Sequence, residues 1–125
     1  FTSYLDDLRV VLEKEDLNLL NITVRYVNED EEAVLSYAKE DMFALVLLIN
    51  QGRDKKEIEQ TEKVIQKMID VTLKHNGSYY LPYYSYPTQA QMDEAYPRNK
   101  EFFEQKKQFD PNELFMNLFY KEYSQ

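Results

Sequence analysis

The spacing of apolar positions changes period twice in the first half of the chain. Between residues 3 and 15, Tyr4, Leu5, Leu8, Val11 and Leu12 recur at helical spacing. Ser3 precedes them and Asp6 and Asp7 fall in the first turn, so a short amphipathic helix capped by Ser3 is expected. From Leu20 to Tyr26 the pattern alternates strictly: Leu20, Ile22, Val24 and Tyr26 fall on one face, Asn21, Thr23 and Arg25 on the other. That period of two predicts a strand with one face buried. The acidic run NEDEE at 28–32 reads as a solvated turn, and AVLSYA after it suits a short strand or a turn. Residues 42–49, MFALVLLI, are apolar without a break, as in a strand covered on both faces or at a sheet centre.

The second half is mostly helical in pattern. Asp54 and Glu57 form a capping box, and Ile58, Thr61, Ile65, Met68, Ile69 and Thr72 follow on one face until Asn76 and Gly77 supply a stop. This predicts a helix over 54–75. SYYL at 78–81 reads as another strand, ended by Pro82. Thr88 with Gln91 opens a further helix, Pro97 suits a first helical position, and Asp110-Pro111 with Glu113 caps a last short one. The expected fold class is α+β: an antiparallel sheet packed by two longer helices, then a short helical C-terminal tail. Residues 1–81 would carry the α+β part and 82–125 a tyrosine-rich segment and the tail.

Composition narrows the function classes. The chain has 125 residues and a formal net charge of -8, and binding to phosphate backbones is driven by clustered Lys and Arg, so no nucleic-acid partner is expected. No membrane partner is expected either: the longest apolar run is far short of the roughly 20 residues that span a bilayer, and no signal-peptide pattern opens the chain. A soluble protein follows. The absence of cysteine excludes disulfides and thiolate metal sites, and no metal site is expected. His75, the one histidine, falls at a helix end, where partnership with the helix dipole is the reading and catalysis the outlier. Gly52 and Gly77 do not form a phosphate-cradling loop, and the carboxylates lie on solvated faces. The sequence opens on Phe1 with no initiator Met and runs directly into a helix, as expected of a processed protein or a domain of something longer.

The run AYPRNKEFFEQKKQFDPNELFMNLFYKEY contains Tyr96, Pro97, Phe102, Phe103, Lys106, Phe109, Asp110, Pro111, Phe115 and Asn117. It resembles the C-terminal end of FAD-linked oxidoreductases of the vanillyl-alcohol-oxidase type. The residues themselves read as structural: Pro97 and Pro111 preset helix starts, Asp110 caps, and the phenylalanines face a core. The resemblance implies that the chain is chiefly the ferredoxin-like cap covering the substrate side of a flavin. A separate N-terminal FAD-binding domain of the same protein would hold the cofactor.

Two more stretches bear on chemistry through that resemblance. ITVRYVNEDEEAVLS is similar to the strand that carries Glu-x-Arg in aldonolactone and alditol oxidases, with Arg25 at the Arg position and Thr23 in place of Glu. The resemblance gives Arg25 the role of stabilising negative charge on reduced flavin, and Thr23 a place at the substrate. GSYYLPY is similar to a segment ending in His-x-x-Lys or Tyr-x-x-Lys, with Tyr80 and Tyr83 at those two positions. Tyr80 and Tyr83 are thus candidate catalytic groups beside Arg25, with Tyr79 and Tyr84 as substrate-contacting walls. A phenol, with a pKa of about 10, is a weak base at neutral pH unless a cation lowers it.

Three functions therefore stand in order. The first is the substrate domain of an FAD-dependent oxidoreductase acting on C–OH groups of sugars, lactones or alcohols, silent without its FAD domain and weakly self-associating through the Tyr79–Tyr86 face. The second is an autonomous α+β module that binds a protein or a small ligand without redox chemistry. The third is a small hydrolase built on His75 or paired carboxylates.

Overall fold

The computed structural model describes residues 1–124. In chain order these are helix α1 (Thr2–Lys14), strands β1 (Leu19–Val27) and β2 (Met42–Ile49), helix α2 (Lys55–Lys74), and helices α3 (Gln89–Ala95), α4 (Asn99–Phe109) and α5 (Leu118–Tyr123). The α+β class holds, but the sheet is a two-stranded antiparallel ribbon and not a ferredoxin-like one. The expected strand at SYYL is absent: Ser78 to Tyr80 have no regular structure, and Leu81 and Pro82 form a turn. AVLSYA resolves as a turn.

Helix α2 forms as its sequence dictates. The Asp54 side chain accepts the Glu57 N–H at 3.0 Å. At the other end the N–H groups of Asn76 and Gly77 return to the carbonyls of Leu73 and Thr72. That double return is the Schellman closure, and it needs a left-handed residue after the cap, here Asn76 at φ 58°. Helix α3 carries the full reciprocal capping box between Thr88 and Gln91. Helix α1 differs from expectation. It starts at Thr2 with Phe1 at the cap position and no side-chain cap bond, so Ser3 lies inside the helix.

The core is helical. Ile69 and Leu73 of α2 meet Met92, Ala95 and Tyr96 from the α3 region and Tyr123 of α5 in one buried cluster, with Leu35, Tyr37, Tyr79, Leu81, Phe103 and Phe119 packed around it. Three tyrosine hydroxyls reach partners at its rim. Tyr96 donates to the Tyr79 carbonyl, Tyr123 to the Pro87 carbonyl at 2.7 Å, and Tyr79 to Met92 Sδ at 3.3 Å. Gln91, itself buried, donates to the Gln66 carbonyl at 2.9 Å and so ties α3 to α2.

The sequence pattern predicts one buried face for β1 and a covered or central strand at 42–49, and neither strand is buried. Pairing runs from Leu19–Ile49 to Val27–Met42, with Leu20 as a bulge, and puts Ile22, Val24 and Tyr26 on one face with Phe43, Leu45 and Leu47. No residue of either strand is buried; seven of the nine in β1 are exposed, Val24 to 52%. The alternation therefore marks an apolar face that the described residues cover only in part, Leu45 and Leu47 being half-buried. Phe43 reaches Phe1, with ring centroids 4.8 Å apart, and otherwise the helices lean on one another.

Helix α1 docks on α2 through polar ends. Asp7 accepts from Lys74 Nζ at 2.7 Å, and His75 Nε2 lies 2.9 Å from the same oxygen. Lys74 and then His75 hold the Asp7 carboxyl below its ordinary range. His75 is thus the C-cap residue of α2, bound to a carboxylate at a helix end as the sequence suggested.

The C-terminal tail also departs from expectation. Asp110-Pro111 does not start a helix; Asp110 closes a turn by accepting from Lys106 Nζ at 2.6 Å and from the Leu114 and Phe115 N–H groups at 2.9 Å. Asn117 caps the last helix instead. Pro97 sits in the turn before α4, whose cap position is Arg98. Phe102 and Phe103 are half-buried as expected, whereas Phe109 and Phe115 do not face a core and are more than 80% exposed.

Candidate functional site

Residues 76–92 contain no charged side chain, in a chain that is 30% charged. Both ends of the tyrosine-rich part are tied to the helical core. At one end Tyr79 packs against Tyr96 edge to face at 5.4 Å, and Ser78 donates its hydroxyl to the Tyr37 carbonyl. At the other, the Tyr86 carbonyl accepts from Gln66 Nε2 at 2.7 Å and its hydroxyl donates to Gln51 at 3.1 Å. The chain between them bows outward, and Pro82 restricts its conformations.

On that bow Tyr37, Tyr80 and Tyr83 form a run of edge-to-face rings, each step 5.3 Å between centroids. Tyr84 stacks on Tyr86 at 5.2 Å and 14°. Tyr80 is about half exposed, Tyr83 is 67% exposed and Tyr84 75%. Such rings supply flat apolar faces with a hydroxyl at the edge of each. The structure brings Tyr80, Tyr83 and Tyr84 together on one short segment and turns Tyr79 inward.

The inward tyrosines differ electrostatically from the outward ones. Burial, then the neighbouring Tyr123 and Tyr96, pushes the Tyr79 phenol far above its ordinary value. Burial likewise raises Tyr96, and raises Tyr123 to about 12. These three stay protonated through the physiological range and act as fixed donors.

Arg25 and Thr23 lie on one face of β1, two residues apart, opposite Ala44 and Val46. Both are exposed. Among the described residues no hydrogen bond, ion pair or cation–π contact joins Arg25 to Tyr80 or Tyr83. The six sequence-proposed residues therefore fall into two groups, one on the ribbon and one on the helical body. Tyr37 was missed: it lies in the undecided AVLSYA stretch, and no local spacing signals that the chain folds residue 37 onto residue 80.

Two surface clefts lie elsewhere on the molecule. One, of about 180 Å³, lies between the 29–39 turn and Tyr96, Pro97 and Arg98. The other, of about 410 Å³, lies between α3, α4 and α5 beside Asn99, Phe103 and Tyr120. Neither includes a sequence-proposed residue. No group of His, Cys, Asp and Glu among the described residues has the makings of a metal site. No helix among them is long and apolar enough to cross a membrane.

The two glycines are used structurally. A Cβ on Gly52 would collide with the Glu57 carboxylate, and one on Gly77 with Thr72 Cγ2 at 2.7 Å, so both serve the ends of α2. Neither leaves backbone open to a phosphate, and these residues do not by themselves fit FAD. Protein-family models, curated proteins and solved structures were each compared with the chain, and none matches.

Proposed function

We propose that this chain is the substrate-side domain of an FAD-dependent oxidoreductase acting on C–OH groups, with the flavin held by a separate domain of the same protein. The observation that supports the reading is the uncharged tyrosine platform at Tyr37, Tyr80, Tyr83 and Tyr84. Flat phenol rings with hydroxyl edges suit a neutral polyol, lactone or aromatic alcohol. In this reading Tyr80 and Tyr83 contact the substrate and donate hydrogen bonds to it, Tyr84 extends the wall, and Tyr79 holds the wall to the core. Thr23 and Arg25 approach from the ribbon, Arg25 supplying positive charge. The fragment by itself turns nothing over, since it lacks the group that accepts the hydride.

The test is an absorbance spectrum of the product of the full reading frame that contains this chain, purified without added cofactor and then mixed with sugars, lactones and alcohols. A flavin spectrum bleached by one of these classes supports the reading. A colourless product that also fails to take up added FAD overturns it. The exposed apolar ribbon would then favour the second reading, a binding module without redox chemistry.

A further inference from the structure

The outer edge of β1 is open. Among the described residues no backbone hydrogen bond leaves the strand between Leu20 and Val27 other than those to β2, and the side chains of Leu20 to Tyr26 are exposed. A two-stranded ribbon is marginal in water, and three or more strands are needed for independent stability. Proteins usually guard such an edge with Lys, Pro, several charges or a bulge; β1 has one charged residue, Arg25, and its bulge lies at one end, at Leu20, which leaves Ile22 to Val27 regular.

From these features we infer that β1 is a self-pairing edge, which joins antiparallel to β1 of a second copy to make a four-stranded sheet. The pattern L-N-I-T-V-R-Y over residues 20–26 reads alike in both directions about Thr23. A two-fold axis at Thr23 places Ile22 opposite Val24 of the other copy, apolar against apolar, and brings Tyr26 to the end that carries the bulged Leu20. On the other face it places Thr23 against Thr23, and Arg25 against Asn21 and not against a second Arg25. Charge thus favours this register over the one with its axis moved to Arg25, four residues away in pairing, which would oppose the two arginines. The pairing uses main-chain groups, so Thr23 and Arg25 keep their side chains on the open face. The chain's net charge of -8 is carried off the seam, so added salt strengthens the association by screening the two copies from each other.

Light scattering on the 125-residue chain at rising concentration tests this, together with cysteine cross-linking in a chain that has no native cysteine. The expected result is a rise from 15.1 kDa towards twice that mass. Thr23→Cys should cross-link to itself under oxidation and Asn21→Cys should not, because residue 21 lies well away from its own copy across the axis. Val24→Lys, at an exposed site, should abolish the dimer with the far-UV circular dichroism unchanged. A strictly monomeric chain overturns the inference, as does equal cross-linking at residues 21 and 23. So does a dimer that survives Val24→Lys and is lost with Tyr83→Ser, which would place the contact on the tyrosine platform.

Discussion

Replacing Met92 by alanine tests where the core of this protein lies. Met92 is fully buried among Ile69, Leu73, Ala95, Tyr96 and Tyr123, and its sulfur accepts the Tyr79 hydroxyl. Truncating a buried methionine to alanine costs about 2 to 5 kcal/mol, because transfer energy is lost and a cavity is left. The Tyr79 hydroxyl loses its acceptor in a half-buried position, which adds up to about 1 kcal/mol. A domain of this length has a total stability of about 6 to 19 kcal/mol at about 0.05 to 0.15 per residue, so a loss near 4 is a large fraction. With a urea m value of about 1.5 kcal/mol/M, the midpoint should fall by roughly 2 to 3 M. The chain has no tryptophan, so tyrosine fluorescence and circular dichroism are the probes. Val24→Ala, measured at a concentration where the chain is monomeric, is the control: on the exposed ribbon it should cost no more than about 0.5 kcal/mol. If Met92→Ala costs under about 1 kcal/mol, or the two variants cost the same, the helical core described above is wrong.

The other predictions concern ends, turns and acid. Thr88→Ala removes the N-cap of α3 and should lower stability by about 1 kcal/mol in the same urea assay. Asn76→Val should cost about 1 to 2 kcal/mol, because a β-branched residue resists the left-handed backbone, while Asn76→Gly should leave the midpoint nearly unchanged. The Asp110 carboxyl is held at about 2, below its ordinary 3.8, by Lys106 first and then by the Phe115 and Leu114 N–H groups. Its stabilisation is therefore complete above 3.8 and is lost as pH falls through about 2. Asp110→Asn should flatten that part of the acid-unfolding curve. If the proposed oxidoreductase reading holds, Arg25→Ala in the flavin-containing protein should slow bleaching by substrate while leaving cofactor content unchanged.

Local chemistry made the helices legible. Asp54 with Glu57, Thr88 with Gln91, and Asn76 with Gly77 each specify a helix end through bonds that close within a few residues, and each end falls where the sequence puts it. The strands were legible as strands for the same reason, since alternation in β1 and the apolar run in β2 are local patterns. Their burial was not legible. Alternation shows that a face is apolar, and what covers that face is decided by distant residues. SYYL reads as a strand by propensity, but Tyr79 is drawn inward by Tyr96 and Met92, and a tertiary pull of this kind overrides propensity. The tail failed for a similar reason: Asp110 does cap backbone N–H groups, but those of a turn with Glu113 at φ 51°, and a cap residue alone does not say which it will serve.

The candidate site draws on elements held in different ways, and that difference bears on its chemistry. Tyr80, Tyr83 and Tyr84 sit between two anchors in the helical core, at Tyr79 and Tyr86, so their geometry follows from residues far more buried than themselves. Thr23 and Arg25 sit on a ribbon with no buried residue, and their position relative to the tyrosines depends on whatever covers that ribbon. Effective catalysis or tight binding requires groups fixed to within a fraction of an ångström. The tyrosine platform is tied to the helical core at both ends; the pairing of Arg25 with it has no such tie. A ligand that needs the tyrosines alone should therefore bind the isolated chain. One that needs Arg25 as well should bind only when another domain or a second copy holds the ribbon in place.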